Sequence, residues 1–345
     1  MSQTMTAAVL HGKEDVRIEQ LPVPQPQAGE VLLRIQAATT CGTDVKVFKR
    51  GYHAKMIRPP AVFGHEMAGV IERVGPGVTG WRAGQRVVPA NSAPCGQCFW
   101  CQRLQPELCD HFTWLNGAYA EYVCVPARIV EVNLQVIPEG LPFEHASLAE
   151  PLACVVKGFE QVRVTRGETV VVIGAGPIGL MFVALAHQAG AHVIALDLRP
   201  SRLALAEAFG AQMVVEAAGD VVTRVRGMTN EGRGPDVVIE SVGLPATWEQ
   251  AIALVRKGGR VQLFGGCPAG THVSVDTQRW HYEQLTLLSS FHHTPQHMRR
   301  ALDLLASGAV PGAKFIGRTE PLVRLPDVLQ ELAVSRDVCK IAIKP

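Results

Sequence analysis

Two textures of hydrophobic and polar positions divide the chain of 345 residues. Residues 1 to about 150 carry short apolar and β-branched runs. Examples are Val31-Leu32-Leu33-Arg34-Ile35, Gly69-Val70-Ile71-Glu72-Arg73-Val74 and Gln85-Arg86-Val87-Val88-Pro89. Glycine and proline punctuate these runs, a pattern that predicts an all-β, barrel-like domain. From about Gly167 the rhythm becomes strand, helix, strand, helix. Strands are predicted at 169–173, 192–196, 212–215, 236–240 and 260–264, and helices at 177–188, 201–209 and 247–255. Such alternation predicts a parallel sheet covered by helices. Ser201 reads as the N-cap of the second helix and Gly210 as its stop. A further strand at 285–290 and a helix at 296–307 precede a return to short strands and turns. The order implies a chain that leaves one domain, builds a second and comes back.

Composition narrows the function classes. Hydrophobic residues make up 47% and charged residues 19%, enough apolar material for sizeable cores. Lys plus Arg number 33 against 31 Asp plus Glu, and a net charge of +2 gives no footprint for nucleic acid or an anionic membrane. The longest apolar stretch, Ile178 to Ala186, falls far short of the ~18 residues of a membrane span. The first ten residues lack a basic-then-apolar signal pattern, so a cytoplasmic protein is expected. Nine cysteines, an odd number in a long chain, favour metal ligation or burial over a disulfide framework.

Two segments match the spacing G-x-G-x-x-G, which chance alone produces about 0.3 times in a chain of this glycine content. Context separates them. Gly174-Ala175-Gly176-Pro177-Ile178-Gly179 follows the run Val170-Val171-Val172-Ile173 and opens an apolar helical pattern, with Pro177 tolerated in the first turn. Backbone N–H groups at such a helix start can hold a pyrophosphate. Gly75-Pro76-Gly77-Val78-Thr79-Gly80 leads into another strand and reads as a tight turn. Asp197 ends the next predicted strand, where a carboxylate accepts hydrogen bonds from adenosine ribose hydroxyls and repels a 2′-phosphate. NAD is therefore expected over NADP. Arg199 and Arg202 read as solvated residues of a helix start. Arginines there can also receive that phosphate, and Arg202 is kept as a candidate cofactor contact. Gly265, with Gly266, would let backbone approach the nicotinamide end.

Cys95, Cys98, Cys101 and Cys109 follow C-x2-C-x2-C-x7-C, a spacing with a chance near about 2 in 100,000 once one cysteine is set. Four thiolates in one loop can close around Zn²⁺ as a tetrahedral structural site; an iron–sulfur cluster or free cysteines are the alternatives. A second constellation is scattered: Cys41-Gly42-Thr43-Asp44, Gly64-His65-Glu66 and Glu150-Pro151-Leu152. Taken singly, Cys41, His65 and Glu150 read as ordinary core or helix-end residues.

The order of these motifs resembles the zinc-containing medium-chain dehydrogenase/reductase family, in its polyol (sorbitol) dehydrogenase-like branch. The resemblance runs over nearly the whole chain, through Val74-Gly75-Pro76-Gly77-Val78, Gly84-Gln85-Arg86-Val87, the four-cysteine lobe, Gly117-Ala118-Tyr119-Ala120-Glu121-Tyr122, and the glycine loop with Asp197. It implies an α/β fold in which a GroES-like β-barrel catalytic domain, 1–152 and 291–345, carries an inserted Rossmann domain, 153–290, with a doubly wound parallel sheet. It implies two zinc ions per chain, a catalytic one on Cys41, His65 and Glu150, with Glu66 in support or as an alternative ligand. The implied reaction is reversible hydride transfer from a small-molecule secondary alcohol of a polyol or sugar to NAD. Neither nucleic acid nor membrane is expected as a partner, and a homo-oligomer, tetramer or dimer, is expected by resemblance.

Thr43 stands where the family places a relay hydroxyl. The His often found three residues later is replaced by Lys46, a poor proton acceptor at its ordinary pKa near 10.4, so Lys46 is a cofactor or relay contact. His292 or His293 could take the relay role instead, or form an exposed or capping pair. Phe48, Tyr52, His53 and Trp114 could shape a substrate wall or simply pack. Two other readings compete. One is a threonine 3-dehydrogenase-like activity, for which no residue reads as an amino-acid carboxylate clamp. The other is a zinc-ribbon binding module, which the near-neutral charge and the α/β half oppose.

Overall fold

In the computed structural model, which describes residues 3–53, 56–335 and 339–345, the chain divides into two units. The first comprises Met1–Ala153, His293–Gly308 and Gly312–Pro345; the second comprises Cys154–His292 with Ala309–Pro311.

The first unit is organised on the strand Val31–Thr39. One edge pairs antiparallel with Met67–Val74; the other takes Tyr122–Val125 and then Lys340–Lys344. Side chains on both faces of this strand are buried, which is why Val-Leu-Leu and Ala-Ala-Thr run without clean alternation. The sheet continues through Arg86–Pro89 and Leu134–Val136 on one side and Ile316–Pro321 on the other. Leu33, Ile35, Phe63, Met67, Ile71, Tyr119 and Ile341 fill its core. The C-terminal strand therefore lies beside residues 38–39, which places Lys340 next to the segment leading into Cys41.

The unit is not all-β, as its sequence texture predicts. Helices Gly42–Arg50, Ala127–Val132, Phe143–Ala146, Pro295–Ala306 and Leu325–Val334 also belong to it. Gly42–Arg50 buries only Asp44, Val47 and Phe48, too few positions for a 3.6-residue period to stand out. The match at Gly75 ends the strand Met67–Val74 as a turn with no helix after it. Gly75 N–H donates to the Glu30 carbonyl.

The second unit holds a six-stranded parallel sheet. Its order is Met213–Glu216, His192–Asp197, Thr169–Ile173, Val237–Glu240, Arg260–Leu263, Thr286–Ser289. In chain order that is 3-2-1-4-5-6, the doubly wound arrangement whose ligand crevice lies at the carboxyl ends of the first and fourth strands. The predicted strands are all present within a residue or two. The helix Pro177–Gln188 has the predicted bounds, and its residues from Gly179 to Ala186 are buried. One cap differs: Arg199 is the N-cap of Pro200–Ala208, and Ser201 lies inside the helix. Proline pre-sets the φ of a first helical position and has no N–H to satisfy, so it moves the start upstream. Gly210 follows the C-cap with φ +109° as the left-handed stop. Among the described residues no helix is long and apolar enough to cross a membrane.

Gly69 marks the tightest approach in the first unit's sheet, since a Cβ there would lie 2.3 Å from the Arg34 carbonyl oxygen. Gly69→Ala is expected to cost about 1–3 kcal/mol by forcing two paired strands apart. Urea unfolding checks this; an unchanged midpoint would contradict the packing described.

Candidate active site and cofactor loop

Cys41 owes its position to a helix start. It caps Gly42–Arg50 with extended backbone, its Sγ accepting from Thr43 N–H at 3.4 Å and its own N–H donating to Asp44 Oδ2 at 2.9 Å. His65 follows Gly64, whose φ is +85° and whose absent Cβ leaves room for the Tyr119 ring, 2.7 Å from where that atom would stand. Tyr119 O–H donates to Asp44 Oδ2 at 2.7 Å. Asp44 Oδ1 is buried without a hydrogen bond and lies 3.6 Å from His65 Nδ1.

Cys41, His65 and Glu66 offer ligand atoms that all lie within 4.8 Å of one another. Glu66 is fully buried. Lys340 Nζ donates to its Oε1 at 2.8 Å and Oε2 at 2.5 Å, and Thr39 O–H donates to Oε2 at 2.5 Å. Glu150 does not belong to that close set; it sits in the first turn of Ala149–Val162, is buried, and acts on His65 through its charge. Asn91 Nδ2 donates to Glu150 Oε1 at 2.8 Å.

The electrostatics are those of a cation site. Burial alone would lower the pKa of His65. The hydrogen bond with Cys41 and the charges of Cys41, Asp44 and Glu150 overcome that and raise it well above the ordinary value. Burial pushes Glu150 up to about 7 against the pull of His65. Burial also raises Asp44. Lys340 is held charged by Glu66 despite its burial. One thiol and three carboxyls thus surround a histidine, with a single buried lysine in opposition. An orphaned Asp44 oxygen beside an imidazole is the partner a metal-bound histidine requires for its other ring nitrogen. These residues fit Zn²⁺.

Thr43 stands on the first turn of the Cys41 helix, half-buried, whereas Lys46 lies on its exposed face. His293 is buried rather than part of an exposed pair, and His292 takes a left-handed φ of +62°.

The four-cysteine lobe closes on itself. Its sulfurs lie within 4.8 Å of one another, with Cys98 Sγ 3.5 Å from Cys101 Sγ and 3.8 Å from Cys109 Sγ. Tetrahedral Zn–S bonds of 2.3 Å demand separations of about 3.8 Å. All four thiols are free, and N–H groups of Cys95 and His111 point at Cys109 Sγ from 3.2 and 3.3 Å. Backbone N–H donation, first from Cys101, brings the Cys98 thiol down to about 6.

In the second unit, Gly174 turns the chain with φ +93° and Gly176 caps Pro177–Gln188 without any side-chain hydrogen bond. A Cβ on Gly179 would meet the Gly174 carbonyl oxygen at 1.7 Å, whereas one on Gly176 would meet nothing within 4 Å. So Gly179 serves the close turn, and Gly176 fronts open space at a helix N-terminus; Pro177 and Ile178 form its first turn. Both Asp197 oxygens are held, by Ala175 N–H at 2.8 Å and Arg199 N–H at 3.0 Å. The loop and the carboxylate thus form one anion-and-ribose cradle that fits a dinucleotide. Arg202 is buried, not solvated as the helix-start reading has it, because its helix packs that face on the sheet. Gly265 stands 2.7 Å, measured from an added Cβ, from Glu240 Oε2.

Comparison with known proteins decides the family. Residues 27–134 match the alcohol dehydrogenase GroES-like domain, and residues 177–307 match the zinc-binding dehydrogenase domain. Sorbitol dehydrogenase of Bacillus subtilis is 30% identical over 99% of this chain and 98% of its own. The chain belongs to the zinc-containing medium-chain dehydrogenase/reductase family. It is an oxidoreductase of the polyol branch acting on CH–OH groups. L-threonine 3-dehydrogenase of Pyrococcus furiosus is 37% identical over 80% of this chain and 79% of its own. An alcohol dehydrogenase from Thermus sp. ATN1 superposes with a TM-score of 0.89 at 31% identity, covering 99% of each chain. The GroES-like and Rossmann expectations therefore hold.

Sequence reasoning missed Lys340 and Asn91. Neither sits in a motif; each reaches its carboxylate across a long chain separation, 274 residues for Lys340 and Glu66. Asp44 was visible as part of Cys-Gly-Thr-Asp, but its contacts with Tyr119 and His65 were not.

Metal analysis with thermal melts separates the two donor sets. Cys98→Ser is expected to remove the zinc of the lobe and lower the melting temperature. Cys41→Ser removes the other zinc with the fold kept. Unchanged metal content in either variant contradicts the assignment.

Proposed function

We propose that this dehydrogenase interconverts a secondary alcohol of a polyol or sugar with the ketone, using NAD, with Cys41, His65 and Glu150 as the ligands of the reactive zinc. The carrying observation is the contrast between two buried carboxylates. Both Glu66 oxygens are engaged by the Lys340 ammonium, while Glu150 is held through Oε1 by Asn91. Glu66 is charge-compensated, so Glu150 brings the unspent charge. The four cysteines hold a structural zinc.

When bound, zinc supplies Lewis acidity toward the substrate oxygen and NAD supplies the hydride acceptor. Thr43 presents a hydroxyl two residues after Cys41, in the first turn of its helix, and is our candidate to take the alcohol proton. Lys46, on the exposed face of the same helix, is a contact for ribose hydroxyls or for the proton relay. Asp44 and Tyr119 hold Cys41 and His65 in place. Gly176 keeps the pyrophosphate approach clear while Gly174 and Gly179 make the close turn that presents it, Asp197 receives the ribose hydroxyls and rejects a 2′-phosphate, Arg202 supports that turn, and Gly265, packed against Gly243 and Glu240, sets the backbone at the nicotinamide end. Residues 1–152 and 291–345 then form the catalytic domain, and 153–290 the NAD-binding domain. We place the enzyme in the cytoplasm as a homo-oligomer. Polyols are favoured over threonine because the sorbitol dehydrogenase match runs end to end.

NAD reduction screened over sugar alcohols, inositols, aldoses, simple secondary alcohols and threonine tests the substrate class. Turnover of a polyol is expected, with Cys41→Ser inactive and NAD preferred to NADP. Asp197→Ala should narrow that preference by about tenfold or more, since hydrogen bonds to a charged group are worth ~1.5–3 kcal/mol. Threonine as the sole substrate would refute the reading.

Metal uptake should also depend on pH. Zinc binds the ionised carboxylate. With Glu150 pushed up to about 7, a proton must leave it below that pH, and affinity must fall as the solution is acidified. Calorimetry at pH 6 in buffers of differing ionisation heat should show wild type releasing more protons per zinc than Glu150→Gln. Equal release would remove Glu150 from the ligand set.

A further inference from the structure

Asn91 and His293 are both buried, and neither lies in a strand. Asn91 stands between Glu150 and His293, its Nδ2 2.8 Å from Glu150 Oε1 and its Oδ1 3.0 Å from His293 Nε2. His293 Nε2 is also 3.7 Å from the same Glu150 oxygen. All three residues belong to the first unit, and His293 is the residue at which the chain re-enters it.

With Glu150 ionised, as a metal ligand must be, the donors and acceptors of this row admit one arrangement. An ionised carboxylate only accepts, so Asn91 must turn its NH₂ toward Glu150. Its carbonyl oxygen then faces His293 and can only accept in turn, so Nε2 must carry a proton. A side-chain amide between two acceptors, or between two donors, would leave a buried polar atom unmatched, at a cost that keeps the row in register. Each member therefore orients the next, and the row ends on one oxygen of Glu150.

We propose that His293, acting through Asn91, is a positioning residue for Glu150: the row Nε2–H to Oδ1 and Nδ2–H to Oε1 pins one carboxylate oxygen and reserves Oε2 for the metal held with Cys41 and His65. This rests on the reading of Glu150 as a zinc ligand. Such outer partners typically change metal affinity by about 10–100-fold. The ligand order explains why a histidine is placed at the re-entry point. It ties the returning chain to the carboxylate just before the chain's exit at Ala153.

The test measures metal affinity and a spectrum rather than turnover alone. Co²⁺ is exchanged into the labile site of the full-length zinc protein, with zinc left in the cysteine lobe. Affinity is read by chelator competition, and the ligand field by the visible d–d bands. His293→Leu is expected to weaken Co²⁺ about 10–100-fold and shift the bands. His293→Gln, whose amide N–H can still donate to Asn91, should recover to within about threefold of the parent. Asn91→Leu should match His293→Leu, and it decides the matter if that variant fails to fold. If Leu and Gln at 293 behave alike, or if both Leu variants bind Co²⁺ as the parent does, the positioning role is overturned. Glu150→Gln separates the two claims. Unchanged affinity and bands there would overturn the ligand reading itself. A weakened Glu150→Gln beside a normal His293→Leu would overturn only the positioning.

Discussion

The site is organised by one buried carboxylate, Asp44. Its Oδ2 accepts from the Cys41 N–H and from the Tyr119 hydroxyl, and its Oδ1 faces His65. Three segments distant in the chain are thereby set against each other: the helix start at Cys41, the loop at His65 and the strand approach at Tyr119. Burial works against the charge of Asp44, and burial keeps the Tyr119 hydroxyl protonated as a donor. The arrangement persists because each donor would otherwise be unmatched in a dry interior. An apolar residue at 44 would leave the Cys41 N–H, the Tyr119 hydroxyl and His65 without their common acceptor.

The second constraint is charge. Glu66 and Lys340 are an almost fully buried ion pair, and removing one partner of such a pair typically costs about 3–5 kcal/mol. Lys340 also donates to the Thr40 carbonyl at 2.8 Å, so the C-terminal strand is tied to the segment before Cys41 by side chain as well as by sheet pairing. With Glu66 neutralised, the surplus negative charge falls on Cys41, Asp44 and Glu150 around His65. A protein interior tolerates such a surplus only where a cation enters or protons are taken up. The raised pKa values of His65 and Glu150 are that protonic alternative, and a divalent cation replaces it.

Much of this was legible in the chain. The buried runs from Val170 and Val193 announce central parallel strands, and Pro177–Gln188 shows its bounds because glycine and proline mark its start. What was not legible depended on partners far away or on competition between local signals. Ser201 has the chemistry of an N-cap, but Pro200 before it claims the first helical position. Arg202 looks solvated from its neighbours, and only the packing of its helix buries it. The helix Gly42–Arg50 was hidden among strand signals because a cysteine, not a usual capping residue, begins it. Lys340 looks like a surface lysine in a terminal strand until pairing with residues 38 and 39 brings it inward.

The two zinc sites illustrate the same distinction from the side of mechanism. The cysteine lobe draws all its donors from one loop between residues 95 and 109, so its spacing alone is informative and its geometry needs little beyond local turns. In the ligand set we propose, the other site takes donors from a helix cap, a glycine-led loop and the first turn of a long helix, and each is ordinary in isolation. Local donors suit a closed structural site, because the loop can saturate the ion by itself. Scattered donors suit a reactive one. Three donors on separate elements would leave part of a bound ion's coordination to substrate; in this reading Asp44, from the helix that Cys41 caps, supports His65, and Asn91, from the segment before Ser92, supports Glu150. The motif-poor appearance of the reactive site is thus a consequence of its chemistry: an open coordination position requires donors that no single loop can supply.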